Sequence, residues 1–449
     1  MDQAVQPDAG GGKGCGNQPE VAESHSIVIK QDDFIGCSEV ENEIYKWQKP
    51  KMQKVPRKLR KIESNKECFD PLVVSIGPYH HGKPELEPME KFKILWAQQY
   101  AKLSQVPIGI LYNKVAEVAR DARECYLVGS TDEIGDEAFA RMMFLDGCFV
   151  LHFIYCIIEG KQKDLKIKSN DTALVRRDLF LLENQVPFQV LEALMSFKFK
   201  KNEGEHMIKC FIMRSKEIVL EERGVKQPLH LLELVRAQLI DFNTVTEEYG
   251  CYLTGDWYTH RSAKDFKAAG IHFKPSKTSR ITDITFESKG TFGQMTLPLI
   301  KIDDLIKSFL LNLVAYEACP DSPDDFGVTS YVCFMDTLID DAEDVKVLRK
   351  KGVLWNCLGS DQQVADLFNE ITKDLVPSPH SYLTVKSRIE QHHKNNMKIW
   401  MAEWRQNYLR SPWTVIAVSA AILAIFLTLI QTILGGFPDL SCSLPTEVV

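Results

Sequence analysis

Residues 142–158 read MMFLDGCFVLHFIYCII, and whether this run crosses a membrane or lies inside a folded body decides the architecture of the chain. Its 17 residues stand at the lower limit for spanning a hydrocarbon core of about 30 Å. Asp146 and His152 interrupt it. An aspartate at mid-helix costs roughly 2.5–3.5 kcal/mol in lipid, and the histidine adds to that. A helix that is apolar all round but short and interrupted in this way belongs at the centre of a domain. Asp146 is then expected to be buried beside a partner, because an unpaired carboxylate there would be too costly.

Helical periodicity dominates on both sides of this run. Met89, Phe92, Leu95, Trp96, Gln99 and Leu103 recur near a 3.6 period in 88–105, and 174–199, 228–242 and 303–318 behave alike. Asp303 or Asp304 is placed to cap the helix carrying Leu305, Ile306, Phe309 and Leu310. Glu183, Asn184 and Gln185 stand at a break before Pro187, where such side chains cap and cross-link a turn. One stretch departs from the helical pattern. In ITDITFESKGTFGQMTLPLI, residues 281–300, short alternating runs flank Ser288-Lys289-Gly290 and predict a small β-hairpin.

Composition sets the class. With 449 residues, 45% hydrophobic and 26% charged, the chain can bury a sizeable core. A net charge of −7, with only a modest basic cluster between Lys46 and Lys61, argues against nucleic acid as a partner. The twelve cysteines include no C-x-x-C spacing, so free thiols are expected, with Cys148 and Cys156 acting as small buried hydrophobes.

Near the C-terminus a second apolar run has no interruption. Trp413 to Leu434, WTVIAVSAAILAIFLTLIQTIL, is 22 residues without a charge, enough to cross a bilayer as a helix. Ser411 and Pro412 suit its start, Gly435 and Gly436 its end, and Trp400, Trp404, Tyr408 and Trp413 an interfacial belt. Lys394, Lys398, Arg405 and Arg410 precede the span, while no Lys or Arg follows Leu434. Positive charge stays cytosolic, so the body is expected in the cytosol, tail-anchored in the plasma membrane or an endomembrane. The expected organisation is a disordered segment at 1–38, a helical domain at 39–380 and a stalk helix at 381–410. A transmembrane helix at 411–434 and a polar tail at 435–449 complete it. The fold class is thus mainly α, a large helical body with one small hairpin and a C-terminal membrane helix.

Motifs that carry chemistry occur only as fragments. GGGKGCG at 10–16 lacks the Ser or Thr of a phosphate loop. Asp325-Phe326-Gly327 spells a kinase metal motif without the rest of a kinase, and Asp303-Asp304 and Asp340-Asp341 lack the spacing of a calcium loop. His80 and His81, in SIGPYHHGKP, are the most chemical pair, placed either to act on a ligand or to fix their loop by hydrogen bonds. No catalytic, cofactor-binding or metal residue is assigned, and no cofactor is expected.

Several motifs in order carry a resemblance: VPRKLR (55–60), FDPLVVSIGPYHHG (69–82), LEPMEKFKILW (86–96), LDGCF (145–149), DLFLLENQVPF (178–188), LHLLELVR (229–236), AGIHFKP (269–275) and VTSYVCFMDTLIDDAEDVKVLRKKG (328–352). With the span, they resemble the plant domain of unknown function 247 family over about 55–434. His152 departs from that family, whose members usually carry Glu there. The resemblance implies a mostly helical plant membrane protein without an established enzymatic activity, and it supplies no catalytic residues to carry over. Some grass members act in pollen self-incompatibility, a recognition role. The expected function is accordingly non-enzymatic protein recognition or signalling with an unidentified protein partner; the alternative is an undescribed enzyme using the His80/His81 loop.

Overall fold

The computed structural model describes residues 51–200, 202–213, 227–240, 262–278, 280–290, 292–394 and 412–435. The segment expected to be disordered, the aromatic residues Trp400, Trp404 and Tyr408, and the tail beyond Gly435 lie outside these residues.

The apolar run 142–158 lies within a 23-residue helix, Asp136–Ile158, which is the axis of the fold. Helices Glu87–Ser104, Ile108–Glu124, Phe188–Met195 and Glu203–Met213 pack around it. Phe149, Phe153, Ile154 and Cys148 are fully buried, and Trp96 stacks on Phe149 with ring centroids 4.4 Å apart. Gly147 sets one crossing: a Cβ there would lie 2.7 Å from Leu194 Cδ1, so only glycine admits the helix Phe188–Met195 this closely. Among the described residues, Asp136–Ile158 is the one helix that passes for a span by both length and hydropathy, and its burial makes it a core helix.

The hairpin is present but is not alone. β2 (Thr285–Lys289) pairs antiparallel with β3 (Phe292–Leu297), and β1 (Ile271–Pro275) adds to β3 in parallel, giving the order β1-β3-β2. A second sheet pairs β4 (Ile300–Ile302) with β5 (Leu354–Asn356), also in parallel. The single-hairpin expectation is corrected here for a physical reason. Parallel partners are joined by long crossovers and not by a turn, and three-residue strands are too short to show alternation.

Helices Ile306–Glu317, Gly327–Leu338, Ala342–Lys350 and Asp361–Ile371 complete the body. Asp341 caps Ala342–Lys350 in a box with Asp344. Asp303 accepts the Leu305 amide at 3.3 Å, one residue ahead of the helix that begins at Ile306. Arg236 is buried between Glu317 and Asp325, and Glu317 also accepts the amides of Val328 and Thr329 at 2.8 Å. The kinase-like triplet is therefore part of a helix start.

Helix Leu383–Lys394 opens the expected stalk but lies against β2, with Val385, Ile389 and His392 buried and His392 Nδ1 3.0 Å from Ser288 Oγ. This part of the expected stalk packs on the body. The helix Pro412–Gly435 has 24 residues, with a shorter apolar stretch at Ser419–Thr432, and Ile422, Phe426 and Ile430 are exposed along it. No cysteine among the described residues forms a disulfide, and Cys148 and Cys156 are buried.

Candidate functional site

Residues 72–77, LVVSIG, enter the interior from an exposed Leu72 and lie outside both described sheets, with Val74, Ser75 and Ile76 at most 1% exposed. Buried amides need partners, and here side chains provide them. Asp178 accepts from Leu72, Val73 and Val74 at 2.8–3.1 Å, Asn184 Oδ1 from Ile76 at 2.7 Å, and Asp146 Oδ2 from Gly77 at 2.8 Å. Asn184 Nδ2 returns a bond to the Val74 carbonyl at 3.0 Å. Gly77 has φ 75°, and a Cβ on it would meet the Gln185 carbonyl oxygen at 2.3 Å. Thus the Glu183-Asn184-Gln185 break does cross-link its own turn, through Gln185 Nε2 to the Leu179 and Leu181 carbonyls, but it also holds a segment distant in sequence.

Asp146 finds the expected partner. Lys93 Nζ lies 2.6 Å from Asp146 Oδ1 and 2.7 Å from Glu90 Oε1. Burial alone would lower the Lys93 pKa, yet the charges of Asp146 and Glu90 outweigh it and the net shift is upward, so the ammonium stays charged.

The two histidines part company. His81 is exposed, whereas His80 is 3% exposed and lies between two carboxylates, Nδ1 3.9 Å from Asp70 Oδ1 and Nε2 3.7 Å from Glu183 Oε2. Neither ring nitrogen has a hydrogen bond among the described residues. Arg60 bridges the same carboxylates at 3.1 and 2.8 Å, Lys83 stands 3.7 Å from Asp70, and Glu183 also accepts the Val55 amide at 2.7 Å. Burial, aided by Lys83, pushes the His80 pKa down to about 4, so the imidazole is neutral at pH 7. A neutral ring between carboxylates can accept or pass a proton only where substrate reaches it, and Asp70, with a 40% exposed side chain, is the open edge. Among the described residues no group of three or more His, Cys, Asp or Glu is placed to hold a metal.

Sequence reasoning singled out His80 but not Asp70 or Asp178; polar residues set inside the apolar runs FDPLVV and DLFLL were the available signal. His152, the departure from the family pattern, is buried beside Trp96 with Nε2 3.5 Å from Cys156 Sγ, and burial pushes its pKa down to about 4.

These features define a mainly helical protein whose ordered sequence motifs fasten one another in the interior. The chain belongs to the plant family DUF247, described as plant protein of unknown function, which matches residues 52–427. It is similar to UPF0481 protein At3g47200 of Arabidopsis thaliana, 29% identical over 420 residues covering 83% of each chain. It is also similar to putative UPF0481 protein At3g02645 of Arabidopsis thaliana, 23% identical over 82% of this chain and 87% of that one. No solved structure matches it.

Proposed function

We propose that this protein is a membrane-anchored, non-enzymatic recognition or signalling component, with its helical body in the cytosol and the helix Pro412–Gly435 in the bilayer. The observation that carries the anchor is that helix itself. Its 24 residues span about 36 Å at 1.5 Å each, and Ile416, Ile422, Leu423, Phe426, Leu427 and Ile430 are exposed along it. A lipid core would cover such a surface. The basic residues before the span and their absence after it favour a cytosolic body. Recognition is supported by the use of the motif residues: Asp146, Asp178, Asn184 and Gln185 hold backbone and ion-pair partners, which leaves the protein's outer faces to meet other molecules.

Deleting 411–449 is expected to move the body from carbonate-resistant membranes to the soluble fraction. Continued resistance of the truncated chain to carbonate and high salt would sink the anchor. Affinity capture from membranes, comparing the full chain with surface variants, tests recognition. A second reading, an enzyme at His80, is favoured by the Asp70–His80–Glu183 alignment. Consumption of a compound from a plant extract, abolished by His80→Gln at unchanged melting temperature, would support it over the first.

A further inference from the structure

We propose that the outer face of the sheet β1-β3-β2 docks on anionic lipid headgroups of the leaflet beside the protein's own C-terminal helix, an inference that rests on the anchor proposed above. Three observations converge. The first is charge. Between Lys264 and Lys289 six lysines and arginines stand against three carboxylates, in a chain whose net charge is −7. The alternation of the strands and their register put Lys274 of β1 on one exposed face with Glu287 and Lys289 of β2. Lys289 lies 3.1 Å from Glu287, and its hydrogen bond and charge, with the charges of Lys274 and Arg388, hold the Glu287 carboxyl below its ordinary pKa. Three cations thus share one acid, and exposed Lys277 adds a fourth in the bend after β1. The half-buried charges of the same segments balance, Arg280 and Lys386 against Asp283 and Glu390.

The second is position. Helix Leu383–Lys394, which carries Arg388, packs on β2, and only residues 395–411 separate its end from Pro412, where the apolar helix begins. That connection covers at most about 60 Å even fully extended. With Pro412–Gly435 in the bilayer, the sheet is the part of the body tethered most directly to the headgroups. The third is the texture of the face. None of the large apolar side chains exposed among the described residues lies on β1, β2 or β3. Protein interfaces draw most of their energy from such anchors, whereas an anionic leaflet attracts a surface by its cations alone. This favours lipid over an acidic protein as the occupant.

The test assembles the full chain into nanodiscs of phosphatidylcholine, alone or with about 30% phosphatidylserine, acetylates exposed lysines and reads them by mass spectrometry. Each cation near an anionic leaflet is worth about fivefold in affinity. Labelling of Lys274, Lys277 and Lys289 is therefore expected to slow about fivefold or more in the anionic discs and to recover in about 0.5 M salt. Exposed Lys102, on another part of the body, should label alike in both. In Lys274→Glu/Lys277→Glu, two changes at exposed positions, Lys289 should label equally fast in the two lipids. Equal labelling of the three lysines in both lipids, by a chain that stays with the discs, would overturn the docking face and leave the anchor standing. Undiminished protection of Lys289 in the double variant would likewise overturn it. A chain retained by anionic discs alone and released by salt would overturn the anchor and support the lipid-binding face, and one retained by neither would overturn both.

Discussion

Lys93 Nζ lies 2.6 Å from Asp146 Oδ1 with both side chains 1% exposed, while the other oxygen of Asp146 holds the amide of Gly77. One ion pair thus joins two helices to the buried segment. Lys93→Met should destabilise the body by about 3–5 kcal/mol, because it strands a buried carboxylate. The double variant Lys93→Met/Asp146→Leu should lose less than the sum of the two single changes. Urea midpoints measure both, and an unchanged midpoint in Lys93→Met would show that the pair does not matter.

Asp178 takes three successive amides and the Arg177 guanidinium. Asparagine offers a single acceptor oxygen and no charge. Asp178→Asn should therefore cost about 3 kcal/mol and speed hydrogen exchange first at Leu72, Val73 and Val74. Uniform exchange across the body, with no local change, would argue against this role.

Burial lowers the pKa of His80 and His152 to about 4 and of His230 to about 3, from an ordinary value of 6.5. Below pH 6.5 the unfolded chain takes up protons that the folded protein refuses. Stability is expected to fall from pH 6.5 towards 4, each histidine adding a slope of about 1.4 kcal/mol per pH unit. His230 accepts the Glu233 amide as an N-cap. His230→Asn keeps an acceptor there but removes one titration, so its urea midpoints between pH 7 and 4.5 should fall less steeply than those of the wild type. Equal slopes would remove His230 from the account.

Asn170-Asp171-Thr172 is a glycosylation sequon, and Asn170 is exposed in the first turn of helix Ser169–Asp178. With the body in the cytosol, Asn170 is expected to carry no glycan. A glycosidase-sensitive mass shift, lost in Asn170→Gln, would withdraw the cytosolic orientation and the proposed signalling role together.

Much of the helical body was legible because apolar spacing is local. The run at 142–158 declared its burial through length and the lone Asp146, and the hairpin declared itself through Ser288-Lys289-Gly290. β1 and the β4–β5 pair were not legible, since their partners lie across crossovers that leave no trace in a short window. The site was half legible. His80 stood out on a loop of glycines and prolines, but Glu183 comes from a segment about a hundred residues away, and nothing in the motif that Asp70 shares with His80 shows that the two meet. The acceptor role of Asp178 has no periodicity by which a sequence reveals it.

The side-chain fastening of residues 72–77 has a consequence for synthesis on the ribosome. The amides of Leu72, Val73 and Val74 await an acceptor 104–106 residues downstream, and Ile76 one that is 108 residues away. At roughly 5–20 residues per second, that stretch emerges about 5–20 s before the helix end that holds it. During that interval its apolar side chains have no finished interior to enter. The first third of the nascent chain is therefore a natural client for chaperones, and the wait ends when the segment around Asp178 and Asn184 leaves the exit tunnel.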